Sequence, residues 1–169
     1  MRKSGMLVLI AAGLLHALVL AIVAPGLPER VPMHFSGSGA VDRWGSRSEA
    51  LWTFGLVGGG LLALFLVLAL VAPRLPMQFV NLPAASKEWW TATPEREAEL
   101  RRRLGTDLGL VGAATVLLIS ATTIDTAWAA RREDPALGWL FFVSLAVYLV
   151  LVIGWCVYTV TSRYRPESE

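Results

Sequence analysis

The 169-residue chain is poor in the side chains that covalent or metal chemistry uses. Its single cysteine, Cys156, rules out an internal disulfide framework and a thiolate metal cluster, and its place in an apolar run reads as a small buried residue. Only two histidines occur, His16 and His34, and no HExxH pattern, Ser-His-Asp order or phosphate-cradling glycine loop accompanies them. These gaps argue against an enzyme and imply no cofactor and no metal site. Charge is scarce as well: 17% of residues are Asp, Glu, Lys or Arg, against roughly 25% in soluble domains. What fills the space is apolar, 55% of the residues, with a mean hydropathy of +0.57. The composition is that of an integral membrane protein whose first partner is the lipid bilayer. A net charge of +2 would suggest nucleic acid in a soluble protein, yet the basic residues lie beside apolar runs, where anionic headgroups are nearer; no nucleic-acid role is expected.

Four apolar runs stand out, at 6 to 24, 51 to 72, 108 to 130 and 137 to 160. Each is long enough, at 1.5 Å per residue, for a hydrocarbon core of about 30 Å, and without water for bare backbone groups each must be helical. The expected fold is an all-α, four-helix transmembrane bundle in one membrane domain, with a structured extracellular loop at 25 to 50 and a cytoplasmic loop at 73 to 107. Arg2-Lys3 before the first run also fits a secretory signal, but Pro25 after Ala24 makes a poor cleavage site, so the run reads as an uncleaved signal anchor. Lys and Arg number ten on the side of the termini and the 73-to-107 loop, against five on the other. The positive-inside bias therefore puts both termini in the cytoplasm of a plasma-membrane, multi-pass protein.

Within the cytoplasmic loop, Thr93-Pro94-Glu95 has the pattern of an N-cap, an N1 proline and an acidic first turn, and Glu97/Arg101 and Glu99/Arg103 follow at i,i+4. A short amphipathic helix is expected there, ending in Arg101, Arg102 and Arg103 at the level of inner-leaflet phosphates. Lys87-Glu88-Trp89-Trp90 reads as an interfacial segment, and Arg131-Arg132-Glu133-Asp134-Pro135 as a turn too short to carry a site. Gly55/Gly59 and Gly105/Gly109 have the small-xxx-small spacing of close helix contacts, which a homo-oligomer could also use.

Polar residues inside spans are expensive and so informative. His16 is expected to bond between helices, and Asp125 to face the bundle or pair with a loop arginine, Arg43 foremost. The outer loop adds two prolines, Pro28 and Pro32, that favour extended backbone before them, a strand-like piece from Val31 to Phe35, and Gly37 and Gly39 for a turn. Asp42 is placed to cap the run into the second helix, and His34 and Asp42 to knit the loop into a lid.

Leu27-Pro28-x-x-Val31-Pro32-x-His34-Phe35, followed by Gly39-x-x-Asp42-Arg43-Trp44-Gly45-Ser46, resembles the signature of the membrane domain of unknown function 1648. That domain also forms the N-terminal part of SdpI-type toxin-immunity proteins, which carry additional spans beyond it. Val80-Asn81-Leu82-Pro83, Trp90 and Pro94-Glu95-Arg96 are similar to the connecting loop of such proteins. The resemblance implies a binding or regulatory protein that meets an extracellular peptide or toxin, or a cytoplasmic regulator. The alternative is a small ion- or proton-coupled transporter or membrane enzyme built on Asp125, His34 and His16.

Overall fold

The structure is a computed structural model describing residues 4–166, so the anchoring expected of Arg2 and Lys3 lies outside the described residues. Among the described residues four helices are long and apolar enough to cross a membrane, which makes this a multi-pass membrane protein in contact with lipid. In chain order they are α1 (Ser4–Val23), α2 (Arg47–Val71), α4 (Pro94–Ala129) and α5 (Trp139–Tyr158), with the short α3 (Ala84–Thr91) between α2 and α4. Between α1 and α2 the chain forms β1 (Arg30–Phe35) and β2 (Val41–Ser46).

The helix expected to begin at Thr93 is not separate. Thr93 does cap it, its hydroxyl accepting the Arg96 N–H at 3.4 Å, but the helix then runs unbroken for 36 residues into the third span. No proline interrupts it after Pro94, and its glycines are packed: a Cβ on Gly105 would lie 3.0 Å from the Ala69 carbonyl, and one on Gly112 2.5 Å from Phe65. A helix of that length extends about 54 Å, so some 24 Å stands clear of a hydrocarbon core of about 30 Å.

α4 is the spine, packed against α1, α2 and α5. Lipid gives helices no hydrophobic reason to associate, so close backbone approach matters. A Cβ on Gly109 would sit 2.6 Å from the Gly5 carbonyl carbon, which brings α1 and α4 into backbone contact. Leu9, Ala12, Ala113 and Val116 fill the interior above that crossing, with Leu62 and Phe65 of α2 against them. Gly55 and Gly59, expected as a packing pair, face open space, whereas their neighbour Gly58 lies against the His16 ring. Cys156 is exposed on α5 rather than buried, because α5 rests mainly on α4 and leaves most of its surface to lipid.

The segment between α1 and α2 is an antiparallel hairpin. Val31 pairs with Gly45, Pro32 with Trp44 and Phe35 with Val41, with irregular register near His34. Its return strand was not legible in advance, since Asp42, Arg43, Gly45 and Ser46 include several poor strand formers. Gly39, with φ of 83°, supplies the turn conformation that glycine adopts without strain. Leu27 and Val31 are fully buried with Ala50 and Ala127, so the hairpin is bolted to α2 and α4 by apolar contact.

Candidate functional site

The hairpin presents its polar residues outward. His34 Nδ1 lies 2.6 Å from Asp42 Oδ1 across the two strands, both side chains about half exposed or more. Asp42 therefore does not cap α2. That role belongs to Ser46, whose hydroxyl accepts the Glu49 N–H at 3.1 Å. The Ser46-x-x-Glu49 spacing of a capping box was readable in the sequence and points to the same residue. Glu49 in turn accepts from Arg43 Nη1 at 2.7 Å, and the Arg30 guanidinium stacks 5.2 Å above the Trp44 ring. Pro32 is buried and Pro28 half-buried beneath them; Phe35 is partly covered and Gly39 sits at the tip. The tip also touches the turn before α5: Ala40 bridges Ala136, and Leu137 N–H donates to the Gly39 carbonyl at 3.4 Å. Arg131 Nε donates to the Gly26 carbonyl at 3.0 Å. The turn judged too short to carry a site is thus part of the hairpin's support. Beside it, Glu29, Ser46, Arg47, Ser48, Leu51 and Trp52 line an open groove of about 680 Å³.

Asp125 is not the partner of Arg43. It is 2% exposed, and its Oδ2 accepts the Gly138 N–H at 2.8 Å, at the start of α5. Arg43 is occupied by Glu49 six residues away, a neighbour the loop reading passed over. One helical turn or more down α4, Ser120 meets His16. The ring donates through Nε2 to the Phe54 carbonyl at 3.1 Å, and Nδ1 lies 3.1 Å from the Ser120 hydroxyl, which also lies 2.9 Å from the Val116 carbonyl. A Cβ on Gly58 would be 2.1 Å from Nε2, so the missing side chain of Gly58 is what admits the imidazole between α1, α2 and α4. His16, His34 and Asp125 share no hydrogen bond with one another.

The opposite end of the bundle holds a second polar cluster, and its centre, Asp107, was missed. Asp107 Oδ2 accepts from Arg163 Nε at 2.9 Å and from the Tyr164 hydroxyl at 2.6 Å, and Oδ1 lies 2.8 Å from Arg163 Nη2. Burial, and after it the hydrogen bond to Asp107, push the Tyr164 phenol above its ordinary value. Trp90 Nε1 donates to the Tyr164 carbonyl at 3.0 Å, and Arg103 reaches the Arg163 carbonyl at 2.6 Å while stacking over Trp90. Trp90 is 3% exposed, so it is a core residue of this cluster and not part of an interfacial belt. Arg101 bonds Glu97 and the carbonyls of Pro73 and Leu75, tying down the end of α2. Arg102 and Arg103 share Glu99. An acid immediately before an apolar run, four residues after three arginines, was the available signal for Asp107.

Among the described residues no group of three His, Cys, Asp or Glu side chains is placed to hold a metal ion. The architecture is that of a multi-pass membrane protein carrying a rigidly seated hairpin on one end. Residues 9–58, which take in most of α1, the hairpin and about the first half of α2, match the family model described as Domain of unknown function (DUF1648). No curated protein and no solved structure matches the chain.

Proposed function

We propose that the protein is a plasma-membrane binding or regulatory protein whose hairpin faces the outside and recognises an extracellular peptide, in the manner the SdpI resemblance implies. The observation that carries this reading is the division of labour in the hairpin. Leu27 and Val31 fix it to the bundle, while His34, Asp42, Arg43 and Trp44 remain exposed. A surface held rigid yet left polar loses little entropy on binding a partner. The adjoining groove supplies both signs of charge, from Glu29 and Arg47, beside the largely exposed Trp52 ring. A transporter built on Asp125, His34 and His16 has less support, since each is held by separate partners.

Orientation is tested first. A cysteine replacing Ser38 should label with an impermeant thiol reagent on intact cells in a Cys156→Ser background, while a C-terminal reporter should read as cytoplasmic. Labelling only after lysis would refute the outward hairpin. Recognition is then tested by expressing the protein in a bacterial host sensitive to membrane-active peptide toxins. Survival should rise with the wild type and fall back with Trp52→Ala or His34→Ala at equal membrane abundance. Equal survival with both variants, or no protection by a protein shown to reach the membrane, would refute the reading.

A further inference from the structure

At the end of the bundle away from the hairpin, a cleft of about 240 Å³ opens between α1, α2 and α4. Its walls are apolar: Met6 from α1, and Ala69, Leu70 and Pro73 from α2 and the turn after it. Gly105 of α4 lies at its back, packed so closely that a Cβ there would come 3.0 Å from the Ala69 carbonyl and from Pro73. Its rim is Arg74, Arg101 and Arg102. The acids nearby do not balance these cations. Glu97 is taken by Arg101, and the single carboxylate of Glu99 serves both Arg102 and Arg103. Arg74 forms no ion pair among the described residues; its guanidinium turns back only to the Leu70 carbonyl. The excess positive charge therefore lies at the mouth of an apolar slot, where two apolar helices end.

We infer that this cleft is a binding site for an anionic glycerophospholipid, its phosphate held by Arg74 and Arg102 and the upper part of one acyl chain lying along Met6, Ala69 and Leu70. Arginine suits the task because its planar fork bonds phosphate oxygens in pairs and keeps its charge at any physiological pH. A zwitterionic lipid has the same chains and phosphate, but its own ammonium competes for that phosphate. Arg101 stays committed to Glu97 and to the Pro73 and Leu75 carbonyls after α2, so it shapes the rim and leaves headgroup contact to its neighbours. This site is independent of the hairpin and of any peptide bound there.

The test uses the full chain purified in mild detergent, with lipid adducts counted by native mass spectrometry. Phosphatidylglycerol and phosphatidylcholine of identical acyl chains are supplied at equal concentration, and glycerol 3-phosphate in a separate arm. Phosphatidylglycerol should be retained preferentially, with a loss of about fivefold in apparent affinity for each rim arginine removed, in Arg74→Gln and in Arg102→Gln. Leu70→Trp, which fills the slot without touching its charge, should remove the preference as well. Arg165→Gln, a cation outside the cleft, should leave it intact. Arg74 and Leu70 are exposed, so their variants keep the test available if Arg102→Gln fails to fold. Equal retention of both lipids, a preference that survives Arg74→Gln and Leu70→Trp, or glycerol 3-phosphate binding as well as the whole lipid would each overturn the inference.

Discussion

Replacing Asp107 by Asn tests how the last helix is held. The carboxylate is 11% exposed and the Arg163 guanidinium 19%, and the two meet through both oxygens, at 2.9 and 2.8 Å. Removing one partner of a fully buried pair costs about 3–5 kcal/mol, mostly because the other charge is left without compensation. Because Arg163 retains some exposure and headgroup water can reach it, a loss of about 2–4 kcal/mol is the better figure. Tyr164 adds to it, since its hydroxyl would then face an amide instead of a carboxylate. The expected outcome is a lower melting temperature in detergent, together with faster chymotryptic cleavage after Tyr164 as the segment after α5 lifts from Trp90. Arg163→Gln should behave alike, and the double variant should be little worse than either single one, because the two changes remove one shared interaction. An Asp107→Asn protein as stable and as protease-resistant as the wild type would show that the cluster carries no net energy, and strictly additive losses would show that the two residues share no interaction.

Three further outcomes are expected. Tyr164 has its phenol raised above its ordinary value of 10.0, so the folded state holds that proton more tightly than the unfolded chain. The stability this represents is complete below pH 10 and is lost as pH rises beyond it; wild type minus Tyr164→Phe, melted at pH 8 to 11, should therefore shrink only above about 10, and a flat difference would contradict the burial. Gly58→Ala should cost about 1–3 kcal/mol by forcing a methyl into the His16 ring, and thermal melts of Gly58→Ala/His16→Ala should show less loss than the two single losses combined. Asp125→Ala should strand the Gly138 N–H at a cost of about 1–3 kcal/mol, Asp125→Asn should cost less because it keeps an acceptor, and Arg43→Gln should add independently to either in the same melts; strong coupling to Arg43 would restore the pairing the structure does not show.

Spans and capping were legible in the chain because they depend on local runs and spacing. Four apolar stretches, the Thr93-Pro94 start and the Glu97/Arg101 and Glu99/Arg103 pairs can be read within a few residues of sequence. Partnerships across the fold were not. Asp125 and Arg43 sit in segments that looked complementary in charge, yet a backbone N–H thirteen residues along took the carboxylate and a glutamate six residues along took the arginine. Spacing singles out Gly59, four residues after Gly55, over Gly58; only the position of the His16 ring shows that Gly58 is the one that matters. The continuity of α4 was missed for a related reason, since polar composition from 95 to 103 marks where the membrane ends and says nothing about where the helix does.

The two aspartates of α4 impose an order on synthesis. Asp125 needs a partner thirteen residues later, whereas Asp107 must wait 56 residues for Arg163. During translation the hairpin end of the α4–α5 pair can close almost as soon as α5 begins to emerge, but the far end stays open until α5 has been made in full. Through that interval Asp107 stands at the membrane boundary without the guanidinium and phenol that the finished fold gives it.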